Sequence, residues 1–378
     1  MSRVYLRRQD SYDIEMLIGA VDEIFTAFGF YDKITEGRTV LLKPNLIMRS
    51  SPEAAMITHP NLVAAVAVCV QNHGGRVLVA ESGGGVYNPA VMKSVFRGCG
   101  YTEVAEKYGF ALYTECKFQT VELPEGIRCS SLDVIEPYVR PHDALVIDMA
   151  KLKTHGMLGY SGAVKNLFGV VPGLMKPELH CRYPDKETFA EMIVDLCEYV
   201  RPDFSFIDGI EAMQGDGPTG GERRFVGVLL GSDSPYDIDL VGTGIINIDP
   251  MDMAIQKNAH DRGLCGEHYS SVEIMGDTVD SVFVKDFKRA RSSDIDFIAY
   301  LPTFLRPLAK KIATPYPKIQ TKNCIGCGKC AESCPQHTIE ITNKKAVIDY
   351  GKCIRCFCCH EMCPMHVIDI KRFSVFKL

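Results

Sequence analysis

The 378-residue chain has no run of about 18 apolar residues, which excludes a membrane-spanning helix. Its basic start, MSRVYLRRQD, is not followed by an apolar core, so a secretory signal is missing too. A cytoplasmic protein is therefore expected, with neither a membrane nor a nucleic acid as partner. No Walker-type G-x-x-x-x-G-K-[ST] occurs. Gly215-Asp216-Gly217-Pro218-Thr219-Gly220 satisfies G-x-G-x-x-G literally, but that fingerprint needs a strand directly before it and a helix directly after. Here Pro218 intrudes and strand-like FVGVLL follows, which argues against a nicotinamide or flavin site. The seven cysteines ahead of the tail (Cys69, Cys99, Cys116, Cys129, Cys181, Cys197 and Cys265) form no C-x-x-C pair. Each reads as a small buried hydrophobe.

Nine of the sixteen cysteines fall between Cys324 and Cys363. Without an export signal, such clustering points to metal ligands rather than disulfides. Charge divides along the same boundary. Residues 315–378 hold 10 Lys+Arg against 5 Asp+Glu, whereas residues 1–314 hold 32 against 42. The basic tail either offsets its own anionic cofactors or offers a face to an acidic partner.

The tail repeats itself at a 29-residue offset. Cys324-x-x-Cys327-x-x-Cys330-x-x-x-Cys334-Pro335 returns as Cys353-x-x-Cys356-x-x-Cys359-x-x-x-Cys363-Pro364, and the match continues through His337/His366 and Ile339/Ile368. This resembles the bacterial two-cluster ferredoxins. In such repeats the fourth Cys ligates the other cluster. The resemblance thus implies two 4Fe–4S clusters, one on Cys324, Cys327, Cys330 and Cys363, the other on Cys353, Cys356, Cys359 and Cys334. Zinc also accepts four thiolates, but two interleaved repeats ending in Cys-Pro speak against it. Cys358 aligns with Lys329 and is left out of both sets.

Ahead of the tail, short apolar runs at Thr39–Ile47, Arg76–Glu81, Ala144–Met149, Phe204–Ile207 and Phe225–Leu230 read as buried strands. Ile14–Phe28, Pro60–His73 and Lys186–Tyr199 read as helices between some of them. The alternation predicts an α/β protein: a large, mostly parallel-sheet domain at 1–295, followed by a small α+β bacterial-ferredoxin-like domain at 318–378. Residues 296–317 are expected to link them through a short amphipathic packing helix carrying Leu301, Phe304, Leu305 and Leu308.

Polar residues gather just beyond the apolar runs. They are Lys43-Pro44-Asn45, with His59 after a loop; Glu81-Ser82 before three glycines; Lys151-Leu152-Lys153-Thr154-His155; and Asp208-Gly209, leading to Asp216. In open α/β sheets ligands bind beyond the carboxyl ends of the strands, so these residues are expected to share one polar crevice. The segment Lys151–His180 interleaves Lys165, Asn166 and His180 with glycines and few acids. Such a stretch suits an anionic group, because backbone N–H and ammonium donors can converge on it.

Lys43-Pro44-Asn45, His59-Pro60, Glu81-Ser82, Lys151-x-Lys153-x-His155, Gly162-x-x-Lys165-Asn166, His180 and Asp208-Gly209 with Gly215-x-Gly217-Pro218 together resemble the domain of unknown function 362 family. The likeness spans about residues 38–220. It implies iron–sulfur proteins with this kind of tail and brings no reaction with it. Three functions follow as alternatives. In a reductase, the clusters feed an anionic substrate or cofactor in the crevice. His155, His59, Lys153 and Asp208 are then the candidate catalytic residues. Lys43, Asn45, Glu81, Ser82, Lys151, Lys165, Asn166, His180 and Asp216 are the candidate binding residues. In a carrier, the large domain docks a redox partner protein. In an assembly factor, the crevice holds a metal through His59, His155 and His180.

Overall fold

The computed structural model describes residues 2–291 and 315–371. The packing helix expected within 296–317 lies, as far as residue 314, outside the described residues.

The first strand, β1 (Arg3–Arg8), leads into helix α1 (Ile14–Phe28). Asp13 starts this helix by accepting from the Glu15 and Met16 amides, and Gly29, at φ +62°, ends it. Leu17, Ala20, Val21, Ile24 and Phe25 recur at helical spacing and are buried as one stripe. Next come β2 (Thr39–Pro44), α2 (Pro60–Asn72), β3 (Arg76–Val79), α3 (Pro89–Gly98), α4 (Tyr101–Tyr108) and β4 (Ala111–Leu112). A separate hairpin, β5 (Phe118–Glu122) with β6 (Ser131–Ile135), precedes β7 (Leu145–His155) and β8 (Gly159–Ser161). Three helices follow, α5 (Ala163–Asn166), α6 (Met175–Arg182) and α7 (Lys186–Val200). The large region closes with β9 (Phe204–Gln214), β10 (Glu222–Ser232), α8 (Pro235–Ile245), α9 (Ala254–Asp261) and β11 (Glu273–Gly276).

These strands make one mixed, mostly parallel sheet in the order β11-β1-β10-β9-β7-β2-β3-β4, with β8 paired to β7. Alternate residues feed opposite faces. Val40, Leu42, Ile147 and Met149 join the core under α1 and α2, whereas Leu41 and Val146 join the core under α7. Burying each such side chain contributes about 1.5–3 kcal/mol. Both faces of the central strands are covered, which explains why β2, β7 and β9 are buried along nearly their whole length, whereas β1 near the sheet edge alternates.

Chain order fixes where a ligand can bind. From β2 the chain steps outward through β3 to β4, then returns to lay β7 on the other side of β2. The reversal opens a crevice at the carboxyl ends of β2 and β7, the switch point of the sheet.

The expected strands are present, but two run on. β7 continues through Lys151–His155, pairing with β8 from Lys153↔Ser161 to His155↔Gly159. β9 continues to Gln214 against β10. Residues expected on loops past the strand ends therefore sit on paired backbone, where their side-chain directions are fixed.

The tail holds two antiparallel pairs, β12 (Tyr316–Ile319) with β15 (Ile368–Lys371) and β13 (Ile339–Thr342) with β14 (Lys345–Ile348). Each cysteine run ends in a single helical turn, α10 (Lys329–Glu332) or α11 (Cys358–Glu361). The 29-residue repeat extends to backbone angles. Gly326 and Gly328 at φ +68° and +79° correspond to Arg355 and Phe357 at +60° and +64°. Left-handed angles cost non-glycine residues roughly 1–3 kcal/mol each, so the second loop is held in shape by its surroundings.

Candidate functional site

Eight of the nine tail cysteines line two cavities. One, of about 330 Å³, is lined by Cys324, Cys327, Cys330 and Cys363; the other, of about 320 Å³, by Cys353, Cys356, Cys359 and Cys334. Each takes three thiols from one repeat and the fourth from the other. The remaining walls are almost entirely apolar, including Ile319, Ile325 and Val367 around the first and Ile339, Ile348 and Phe357 around the second. Backbone amides of Thr338 and Ala346 donate to the sulfurs of Cys334 and Cys324 at 3.3 and 3.4 Å. Among the described residues, no three or more His, Cys, Asp or Glu side chains are placed to hold a single metal ion. Four thiols around an apolar-walled space fit a 4Fe–4S cluster.

A third and larger pocket, of about 740 Å³, lies at the switch point between the large domain and the tail. Lys43 and Asn45 enter from the end of β2, Glu81 and Ser82 from beyond β3, and Lys153 and His155 from β7. Lys165 and Asn166 come from α5, Lys176 and His180 from α6. The tail closes the pocket with Cys358 and Glu361 of α11 and with Met362 just after it.

The floor is a chain of hydrogen bonds. The Lys153 ammonium donates to Asn45 Oδ1 at 2.5 Å, Asn45 Nδ2 to Asn166 Oδ1 at 2.8 Å, and Asn166 Nδ2 to Asp148 Oδ1 at 2.8 Å. Among the described residues Asp148 Oδ2 and His180 Nδ1 have no partner and are buried, unmet polar capacity of the kind that a ligand or ordered water satisfies. Gly169 leaves room for the ion pair beside this floor: a Cβ there would lie 2.2 Å from Glu81 Oε1 and 2.4 Å from Lys43 Nζ and would displace them.

Burial governs the charges. It pushes the Glu81 and Glu361 carboxyls up, against the pull of neighbouring lysines. It draws Lys153 down, Lys165 to about 8 and Lys176 to about 7. His180 is lowered to about 3 and His155 also falls, both chiefly by burial, so both are neutral near pH 7. His155 Nδ1 accepts from the Met157 and Leu158 amides at 3.1 and 3.2 Å. That assigns its proton to Nε2, which faces the Glu361 carboxylate at 3.4 Å. Lys43 is ion-paired with Glu81 inside the pocket. Lys176 donates to Ser82 O at 2.5 Å and Oγ at 3.2 Å, tying α6 to the loop after β3.

Nine of the residues expected in the crevice meet here: Lys43, Asn45, Glu81, Ser82, Lys153, His155, Lys165, Asn166 and His180. Four do not line it. Lys151 and Asp208 are register partners on β7 and β9 and bond each other at 3.0 Å. Tyr12 completes this network, taking 2.8 Å from Lys151 and giving 2.7 Å to Asp208. His59 stacks on Tyr12 at 3.7 Å and caps α2, its backbone amide bonded to Asp208. His59 thus stands apart from His155 and His180, and the three do not form one ligand set. Asp216 pairs with Arg291, and its carbonyl faces His360 Nε2 at 3.2 Å, a contact between domain and tail. Sequence reasoning missed Lys176, Cys358, Glu361 and Met362. Lys176 lay within the segment singled out as unusual. The other three belong to the pocket only because the tail docks there.

Fold and cavities together define an iron–sulfur protein of electron-transfer type, built on an α/β domain. Residues 40–244 match the domain of unknown function DUF362, and residues 316–364 match the 4Fe-4S dicluster domain. The chain belongs to the DUF362 family. It is 35% identical, over 254 residues, to a protein of Synechocystis sp. named as thylakoid-associated, covering 65% of this chain and 75% of that one. A crystal structure of a Thermotoga maritima protein aligns at 11% identity and TM-score 0.32, over 53% of this chain and 51% of that one, too weak a likeness to carry argument. No helix among the described residues is long and apolar enough to cross a membrane.

Proposed function

We propose that the chain is an iron–sulfur reductase, with two 4Fe–4S clusters feeding an anionic substrate or cofactor in the lysine-lined pocket. Cys324, Cys327, Cys330 and Cys363 hold one cluster, and Cys353, Cys356, Cys359 and Cys334 the other. When bound, such clusters supply electrons singly. The observation that carries the reading is the position of α11. Cys359 on this one turn lines the second cysteine cavity, while Cys358 and Glu361 line the pocket. Cys358 also hydrogen-bonds the Cys356 sulfur, so a buried thiol bridges cavity and pocket.

The pocket residues divide the remaining work. Lys153, Lys165 and Lys176 attract the anionic group, and the apolar Leu46, Ile47, Phe168 and Met362 receive its body. Two one-electron transfers with two protons add two hydrogen atoms to a ligand, the equivalent of a hydride and a proton. Lys165 and Lys176, drawn toward neutrality by burial, are suited to give those protons.

The test uses anaerobically purified full-length protein, with heat-released small molecules identified by mass spectrometry. Those molecules are then added to dithionite-reduced protein while the cluster EPR signal is followed. Lys165→Met should keep its iron content and its reduction by dithionite, yet reoxidise at least about tenfold more slowly. Reoxidation at the wild-type rate would instead mean that the large domain only docks a partner.

A further inference from the structure

The two cysteine cavities are equivalent in sequence and opposite in exposure. The tail meets the large domain on the side of its second cavity. Glu361 O accepts from Thr219 Oγ1 at 3.2 Å, and a Cβ on Gly84 would lie 2.5 Å from Met362 Sδ. Gln336, just past Cys334, reaches Cys181 on α6 at 3.1 Å. The first cavity faces the other way. Cys327 is exposed, unlike the other cluster-type cysteines. Three of its apolar walls are also turned to solvent: Ile325 at 58%, Met365 at 47% and Ile341 at 40%. Large apolar side chains gathered at a redox centre and left uncovered mark an interaction surface.

The rim of this patch is basic. Lys322 and Lys344 are exposed beside the Cys324–Cys330 loop, the Lys344 backbone so close that a Cβ on Gly326 would lie 2.5 Å from its carbonyl. Lys345 donates to Cys324 O at 2.6 Å. Lys329 is neutralised by Glu332 at 2.7 Å, leaving Lys322, Lys344 and Lys345 in excess over Glu340. The large domain behind, residues 2–291, holds 40 Asp+Glu against 29 Lys+Arg. An acidic protein is therefore repelled by the body and drawn to this tip. A cluster is itself anionic, so the lysine rim is what selects the partner.

We propose that the face around Cys327, rimmed by Lys322 and Lys344, docks an acidic one-electron carrier protein that loads the cluster in the Cys324/Cys327/Cys330/Cys363 cavity. The step moves one electron: the carrier's centre is oxidised by one, the cluster is reduced by one, and no bond or proton moves. The inference rests on the reading of the cavities as cluster sites, and it names the entry end for the pocket reading.

The test measures cluster reduction, not turnover, so it stands even if the pocket proves non-catalytic. Stopped-flow absorbance would follow reduction of the cluster-loaded, full-length protein by a photoreduced plant-type [2Fe–2S] ferredoxin, an acidic carrier. Methyl viologen radical, which needs no docking face, is the control. Lys322→Glu/Lys344→Glu should lower the second-order rate with ferredoxin about tenfold, and Lys322→Glu alone by a smaller factor. Both should leave the viologen rate and iron content unchanged. The ferredoxin rate should also fall as salt rises. Variants reduced by ferredoxin at the wild-type rate would overturn the proposal. So would a wild type that ferredoxin fails to reduce or a rate that rises with salt.

Discussion

If burial has drawn Lys176 to about 7 and Lys165 to about 8, anion binding must be linked to proton uptake. The sign follows from the direction of the shifts. In the empty pocket each lysine loses its proton as pH rises through its lowered pKa. A bound dianion favours the ammonium form, so affinity falls as pH climbs above about 7 and falls more steeply above about 8. If binding needs both ammonium groups, the two occupancies together drop about a thousandfold between pH 6 and pH 9, on the order of 4 kcal/mol. Titrating Glu81 and Glu361 adds to the trend with the same sign. Sulfate is a suitable probe because its charge is constant over this range. Isothermal titration calorimetry in buffers of different ionisation enthalpy should find about 1.4 protons taken up per sulfate at pH 8. Lys176→Met should remove the component near pH 7 and leave only about a tenfold loss from pH 6 to pH 9. Affinity that is flat with pH, or equally steep in Lys176→Met, would refute the argument that these two lysines form the anion site.

Two further outcomes separate scaffold from site. Lys151→Met leaves the Asp208 carboxylate buried without its cation, which should cost about 3–5 kcal/mol in urea denaturation while sulfate affinity changes by less than about twofold. Gly220→Val places a branched side chain where a Cβ already lies 2.6 Å from His360 Cε1. It should loosen the tail from the pocket, leaving dithionite reduction of the clusters intact and slowing EPR-detected reoxidation by pocket ligand at least about tenfold.

The strands, the α/β class and the paired cysteine sets were legible because each is local or periodic. Apolar runs between turn residues give strands, and a 29-residue repeat marks the cysteine module. The crevice was legible only in part, because a motif reports which residues follow a strand and not which way they point. Lys151 and Lys153 look equivalent in Lys151-Leu152-Lys153. The register shift between them against β9 gives Lys151 to Asp208 and Lys153 to the pocket. Nothing in the sequence marks that shift. Glu361, Cys358 and Met362 were out of reach for another reason: they become pocket residues through docking between segments more than 140 positions apart, as Thr219 and Glu361 are.

The repeat supplies an internal comparison that bears on how the protein works. Both halves have the ligand pattern for a cluster, so positions that differ at the 29-residue offset report what else each half must do. Lys329, Ala331 and Ser333 of the first half become Cys358, His360 and Met362 in the second. All three replacements face the large domain: Cys358 and Met362 line the pocket, and His360 Nε2 lies 3.2 Å from the Asp216 carbonyl. Glutamate is kept at the fourth position, yet Glu332 pairs with Lys329 at the surface while Glu361 sits 3.4 Å from His155. Ligand chemistry alone gives no reason for these changes to fall together on one side of one turn. They are accounted for if the second half delivers electrons into the pocket and the first half, with Cys327 exposed, receives them from outside.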